Sequence, residues 1–344
     1  MGTGKMIYIR ADANADIGMG HVMRCLSIAD AASTMGVKST FVLADREVES
    51  LVNDRGYKTV VLHSDYSGME EEEWPEIQAG LIIVDSYNVT QKYFRKVRKH
   101  GPIAYMDDLA TFPYAVDILI NYNIYAPSLD YHSLYAKTGI SEPYMIIGPS
   151  YVPLRKMFQG QETRKQNKDV RHILISTGGA DPEHLALKIL QSKPDKYSYH
   201  FLLGQKNADK DAIKEVRQGN IILHEDVSDM KSLICGMDIA VSAAGSTLYE
   251  ICSCGVPLIT YVLADNQIPG ANAFGDLGLA VNLGDLRNNE DPGGMILSAV
   301  EDLAAEYEQR VEMGTRMQSM MDGFGASRMV TKIIGFMKGD PADC

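Results

Sequence analysis

Met6-Ile-Tyr-Ile-Arg10-Ala-Asp12-Ala-Asn-Ala-Asp16-Ile-Gly18-Met-Gly20-His21-Val-Met-Arg24 reads as a short apolar strand, a glycine-bearing loop and the first turn of a helix. The strand ends near Asp12 and the helix begins near His21. The same step returns at His172–Ser176, followed by Thr177-Gly-Gly-Ala-Asp-Pro182. Outward from these two points, short apolar runs alternate with longer amphipathic stretches. In the first half the further runs are Ser39–Leu43, Thr59–Leu62, Leu81–Val84, Ile103–Met106 and Asp117–Ile120. In the second they are Tyr199–Leu203, Ile221–Leu223, Ile239–Ser242, Leu258–Val262 and Ala280–Leu283. Continuous apolar strands separated by helices indicate parallel sheets covered on both faces. Two such series predict an α/β protein of two doubly wound parallel-sheet domains with a cleft between them.

The 344 residues fit this division, at roughly 100–200 residues per domain. Gln159–Asp169 is polar, charged and without apolar period, and is expected to be the linker. The expected domains are residues 1–158 and 170–320, with a terminal helix in 321–344 able to pack back on the first. Met295–Met337 reads as two helices hinged near Asp322-Gly-Phe-Gly325. The acidic tract Glu70–Glu73 reads as a solvated helix end.

A net charge of −12 argues against nucleic acid or an anionic membrane as a general partner. No apolar stretch has membrane-spanning length, and the N-terminus lacks the apolar core of a signal peptide. Five cysteines, an odd number in so long a chain, suggest reduced thiols and a cytoplasmic location. Cys252 and Cys254 lack a second pair at ligand spacing and read as helix packing residues. No metal and no cofactor are expected, and composition does not fix an oligomeric state.

Ligands of open parallel sheets sit beyond the carboxyl ends of the strands, so those loops hold the candidates. In the first, Gly18 and Gly20 allow close backbone approach, and Met23 in place of a third glycine excludes a dinucleotide fingerprint. His21 either packs its helix or acts as a base. Its place straight after Gly-Met-Gly, with Asp12 or Asp16 near enough to orient the ring, favours the base. Arg24 balances the local acidity. In the second half, Gly178-Gly179 makes an anion-friendly turn. Gly245-Ser246-Thr247 opens a helix whose amides suit a diphosphate, and Glu250 one turn on can accept ribose hydroxyls. Thr247-Leu-Tyr-Glu250 equally has the spacing of a capping box, and that reading stays open. Asn266-Gln267 offers donors and acceptors to sugar hydroxyls and acetamido groups, or shapes a turn. Loops at Asp85–Tyr87, Asp107-Asp108 and Asn121–Asn123 make a polar sugar pocket conceivable in the first domain.

These motifs resemble a known family. I-G-x-G-H-x-x-R in Ile17–Arg24, D-x-Y in Asp85–Tyr87, D-D at Asp107-Asp108, D-I-L-I-N-x-N in Asp117–Asn123, G-P-S-Y-x-x-L-R in Gly148–Arg155, S-T-x-x-E in Ser246–Glu250 and N-Q at Asn266-Gln267 occur in order. They look like the UDP-2,4-diacetamido-2,4,6-trideoxy-β-L-altropyranose hydrolases of pseudaminic acid biosynthesis, and like related spore coat polysaccharide proteins. The resemblance implies a GT-B fold and metal-independent, inverting hydrolysis of a UDP-sugar. It implies His21 as general base and site roles for Tyr87 and Asn266, and its glycosyltransferase cousins place the carboxylate matching Glu250 at the ribose; Asn123 is a sugar-contact candidate from its loop alone. Ala243-Ala244 stands where many members have Gly-Gly, and Met19 where a small or polar residue is frequent. A GT-B glycosyltransferase using a UDP-acetamido sugar and a non-catalytic nucleotide-sugar binder are the alternatives.

Overall fold

The computed structural model describes residues 6–11, 13, 19–204, 206–216 and 219–339. Asp12, Asp16 and Gly18 lie outside the described residues. The chain divides into two compact units, Met1–Lys156 with Phe324–Cys344 and Met157–Gly323.

The first unit runs β1 (Met6–Ala11), α1 (Gly20–Thr34), β2 (Lys38–Leu43), α2 (Glu49–Asp54), β3 (Lys58–Val61), β4 (Leu81–Asp85) and α3 (Gln91–Val97). It continues with β5 (Ile103–Met106), β6 (Ile118–Asn121), α4 (Tyr131–Tyr135) and β7 (Tyr144–Ile147). The seven strands are ordered β3-β2-β1-β4-β5-β6-β7 and every pairing is parallel. All of Leu81-Ile-Ile-Val-Asp85 is buried, as a central parallel strand requires. The second unit runs β8 (His172–Ser176), α5 (Leu185–Gln191), β9 (Ser198–Leu202), α6 (Lys210–Lys214), β10 (Ile221–His224), α7 (Met230–Cys235) and β11 (Ile239–Ala243). It then adds α8 (Thr247–Cys254), β12 (Leu258–Val262), α9 (Ile268–Asp276), β13 (Val281–Asp285), α10 (Pro292–Ala305) and α11 (Tyr307–Met320). Its order, β10-β9-β8-β11-β12-β13, repeats the permutation of the first unit. Each sheet therefore reverses its winding once, between β1 and β4 and between β8 and β11, and crevices open at such points.

The last helix, α12 (Gly325–Lys338), is part of the first unit and packs on α1. Ala326, Met329, Val330 and Ile333 form its buried stripe at helical spacing. Gly325 sits where a Cβ would lie 2.2 Å from the Val152 carbonyl oxygen, so the helix start admits no side chain.

Three local expectations are corrected. The strand reading omits β7, a four-residue edge strand directly after Glu142-Pro143, although its run Tyr144-Met-Ile-Ile147 is as apolar as that of β5. Met295–Met337 holds three helices, because Glu306 leaves helical geometry (φ −94°, ψ 76°) between α10 and α11. Buried Arg310 supports this break by donating to the carbonyls of Leu303 and Ala304, which end α10. The acidic tract is a solvated helix end at Glu71 and Glu73 but not at Glu72, which is buried and accepts from the buried Arg10 at Nε (3.0 Å) and Nη2 (2.5 Å). Arg10 points from β1 into the interior and needs this carboxylate, which Tyr93 also meets at 3.2 Å. The polar stretch 159–169 is bound within the second unit: Arg164 donates to the carbonyls of Cys235 and Met237, and Asn167 to Asp238 at 2.7 Å.

Candidate functional site

Strand β1 lies beside β4, with Ala11 opposite Asp85 at their carboxyl ends. The helix that follows β1 starts at Gly20, so its first turn places His21 over the end of β4. His21 Nδ1 stands 2.5 Å from Asp85 Oδ1. The ring is buried, and among the described residues its Nε2 has no hydrogen-bond partner. A carboxylate on Nδ1 fixes the tautomer that carries its proton there and leaves Nε2 with a lone pair.

One turn along α1, Arg24 meets the same carboxylate through Nε (2.6 Å) and Nη2 (2.5 Å). Its Nη1 donates to Asp108 Oδ2 (3.0 Å) and to the Tyr122 hydroxyl (2.8 Å). Burial pushes the Asp85 carboxyl up, but the Arg24 and His21 charges and hydrogen bonds outweigh it and hold it well below the usual carboxylate range. Burial works against the Arg24 guanidinium too, yet Asp108 and Asp85 keep it firmly protonated. Burial pushes the Tyr122 hydroxyl up to about 12.

The two aspartates after β5 face different ways. Asp107 is buried and accepts from Tyr114 (2.8 Å), Tyr131 (2.5 Å) and the amides of Leu109 and Ala110, which pins the loop. Asp108 faces the site, where Tyr87 donates to it at 2.8 Å and Asn123 at 2.6 Å. Tyr87 is exposed and sets its ring edge-on to His21, with centroids 4.8 Å apart. Of the residues singled out in the first half, Gly20, His21, Arg24, Tyr87 and Asn123 thus gather at one sheet edge. Asp12 and Gly18 are not placed, being outside the described residues. Among the described residues the partner of the imidazole is Asp85; Asp12 and Asp16, the carboxylates that the sequence reading offered for that part, lie outside the described residues. The available signal was topological: Asp85 ends the strand next to β1.

In the second unit the loops after β8 and β11 flank the other reversal point. Gly178 takes φ +90°, and a Cβ on Gly178, Gly179 or Gly245 would meet nothing within 4 Å, so packing leaves this side of both loops open. Gly204, in contrast, backs the first loop so closely that a Cβ would lie 2.1 Å from the Gly179 carbonyl oxygen. The turn at Gly178-Gly179 does not itself open a helix. The next helix, α5, begins at Leu185, and buried Asp181 already accepts from the amides of Leu185 and Ala186 at 2.9 Å each. At α8 no capping box forms, because Ser246 is already helical (φ −62°, ψ −24°) and its side chain makes no cap hydrogen bond. The first turn is tight, with Leu248 and Tyr249 bonding back to Gly245 and Ser246. Among the described residues the amides of Ser246 and Thr247 have no backbone acceptor. Glu250 is half-buried one turn on. Gln267 shapes its own loop by accepting from the Leu263 amide at 2.8 Å, and Asn266 is exposed beside it.

No family model matches the chain. Over 348 residues it is 25% identical to the spore coat polysaccharide biosynthesis protein SpsG of Bacillus subtilis, covering 95% of this chain and 97% of that protein. It is 28% identical over 196 residues to the UDP-2,4-diacetamido-2,4,6-trideoxy-beta-L-altropyranose hydrolase of Campylobacter jejuni, covering 55% of this chain and 65% of the relative. It is 24% identical over 279 residues to the uncharacterized protein MJ1062 of Methanocaldococcus jannaschii, covering 76% of this chain and 56% of the relative. These proteins are its homologues. Among solved structures, the calicheamicin glycosyltransferase CalG4 aligns with 98% of this chain and 99% of its own at TM-score 0.67 and 14% identity. MurG of Acinetobacter baumannii aligns with 94% and 97% at TM-score 0.63 and 13% identity. MnaA of S. aureus, solved with UDP, aligns with 97% of each chain at the same TM-score, 0.63, and 13% identity. The fold is GT-B. The two parallel sheets with their shared strand permutation are the features that carry this likeness.

Proposed function

We propose that this GT-B protein hydrolyses a UDP-linked diacetamido-trideoxy sugar to free sugar and UDP, with inversion and without a metal, as a step in making pseudaminic acid. The observation that carries the reading is the His21–Asp85 pair, anchored at Nδ1 and, among the described residues, without a partner at Nε2. Nε2 takes a proton from water as the water attacks C1 on the face opposite UDP. Asp85 stabilises the imidazolium that forms, and Arg24 holds Asp85 in place. Tyr87, Asn123 and Asn266 contact the sugar and its acetamido groups. In the second unit, Gly178-Gly179 and the amides at Gly245-Ser246-Thr247 receive the diphosphate as its charge grows, and Glu250 accepts the ribose hydroxyls. Gly18 and Gln267 complete the binding loops, and Asp12 is a further candidate to support His21. Supporting the substrate class, the altropyranose hydrolase of C. jejuni is among the homologues.

The solved glycosyltransferase CalG4 shares the fold, which favours a second reading in which the sugar passes to an acceptor other than water. Incubation of the protein with the UDP-sugar and no acceptor separates the two. Stoichiometric UDP and free sugar support hydrolysis, while substrate that stays intact until an acceptor is added supports transfer.

Excess EDTA is expected to leave the rate unchanged. Among the described residues the carboxylates around His21 are Asp85 and Asp108, and Arg24 is ion-paired with both, so a divalent ion has to displace its guanidinium to bind them. A rate lost in EDTA and restored by magnesium or manganese contradicts this.

Glu250→Ala is expected to weaken UDP binding by about 1.5–3 kcal/mol, the usual worth of hydrogen bonds to a charged group. Calorimetry with UDP on the folded variant measures it. Unchanged affinity removes Glu250 from the nucleotide.

A further inference from the structure

We propose that Cys235 and Cys254 form a peroxide-reactive dithiol that closes to a disulfide joining the C-terminal ends of α7 and α8. Each cysteine is the last residue of its helix and is followed by a glycine, Gly236 and Gly255. The two helices pack together, and the thiols are hydrogen-bonded to each other, both reduced. One stretch of backbone holds the two helix ends in place. Arg164 donates to the Cys235 carbonyl at 2.8 Å, Gln166 donates to the Gly255 carbonyl at 2.8 Å, and Arg164 Nε donates to Gln166 at 3.1 Å. Orienting a dithiol before reaction removes the entropic cost of bringing the sulfurs together.

The two sulfurs differ in the way a reacting pair needs. Cys235 is half-exposed and Cys254 is buried. The hydrogen bond from Cys254 pulls the Cys235 thiol down, burial pushes it back, and Arg164 lowers it again, to about 7. The same hydrogen bond and burial push Cys254 up. Cys235 is therefore the nucleophile and Cys254 the resolving thiol. Cys252, two residues earlier on α8, is fully buried and pushed up by burial alone, which makes it an internal control.

The chemistry balances with hydrogen peroxide as oxidant. The Cys235 thiolate attacks one peroxide oxygen, an S–O bond forms, the O–O bond breaks, and the departing hydroxide takes up a proton to leave as water. Cys254 then attacks the sulfenic sulfur, an S–S bond forms, the S–O bond breaks, and a second water leaves with the Cys254 proton. Two thiols are oxidised and one peroxide is reduced to two waters. This site is separate from His21 and from the proposed nucleotide loops, so its test does not depend on the hydrolase reading.

The full-length protein is treated with hydrogen peroxide, quenched with N-ethylmaleimide and mapped by peptide mass spectrometry over time. The expected result is a linked Cys235–Cys254 peptide pair, reversed by dithiothreitol, with Cys235 consumed at least ~10-fold faster than Cys252. In Cys254→Ser, Cys235 is expected to accumulate as a sulfenic acid trapped by dimedone. In Cys235→Ser, Cys254 is expected to remain a thiol. Wild-type Cys235 that climbs to sulfinic acid while Cys254 stays alkylatable, or that reacts no faster than Cys252, overturns the proposal. The wild-type map decides the matter by itself if a variant fails to fold.

Discussion

His21→Asn is expected to keep the fold and the affinity for UDP and to lose about 10²–10⁴ of the hydrolysis rate, the usual worth of a general base. Asparagine has similar volume and can keep a hydrogen bond to Asp85, but it cannot take a proton near neutral pH. The ring is buried against Asp85 and edge-on to Tyr87, so the substitution leaves little void. A variant with near-normal turnover and slightly lower stability makes His21 a helix residue only.

Asp85→Asn is the second large effect. An amide at this position can donate to Nδ1 and so favour the tautomer with its proton on Nε2, which disables the base; roughly 10²–10⁴ in kcat is expected, with KM little changed. The carboxylate also serves Arg24 at two atoms, so the variant is expected to be less stable by about 1.5–3 kcal/mol. The Asp85 carboxyl is held below its ordinary range when folded. It thus stabilises the fold fully above its unfolded value of about 3.9, and that contribution is lost only as pH falls through the depressed folded value. Asp85 stays ionised through the mildly acid range, so its pH effect shows in stability and only in strong acid, whereas the loss in His21→Asn is one of rate. Measuring kcat, KM and thermal stability of Asp85→Asn across pH checks this, and unchanged kcat removes Asp85 from the chemistry.

Much of the architecture was legible in the residues because parallel strands buried on both faces are continuous apolar runs, as in Leu81–Val84 and Leu258–Val262. The parts that were not legible are those where tertiary context overrides local pattern. The break at Glu306 depends on an arginine four residues on, and Glu72 looks like one of four surface acids until Arg10 is seen beneath it, whereas β7, which the strand reading omits, was legible as the apolar run Tyr144–Ile147. The site follows the same division. His21, Tyr87 and Asn123 stood out because they sit in loops after strands. The pairing of His21 with Asp85 spans 64 positions and depends on strand order, which a chain read in sequence does not display. Asp107 and Asp108 are adjacent and chemically identical, and only the turn after β5 decides that one anchors tyrosines while the other faces Arg24 and Tyr87.

The central claim is that water, activated by His21, displaces UDP from the anomeric carbon. Proton NMR of the wild-type protein with the UDP-diacetamido-trideoxy sugar, followed from the first minutes and without any acceptor, tests it most directly. The account predicts UDP and free sugar in equal amounts, with the inverted anomer appearing first and mutarotation following. Initial formation of the retained anomer, or a substrate that stays intact while bound, contradicts it.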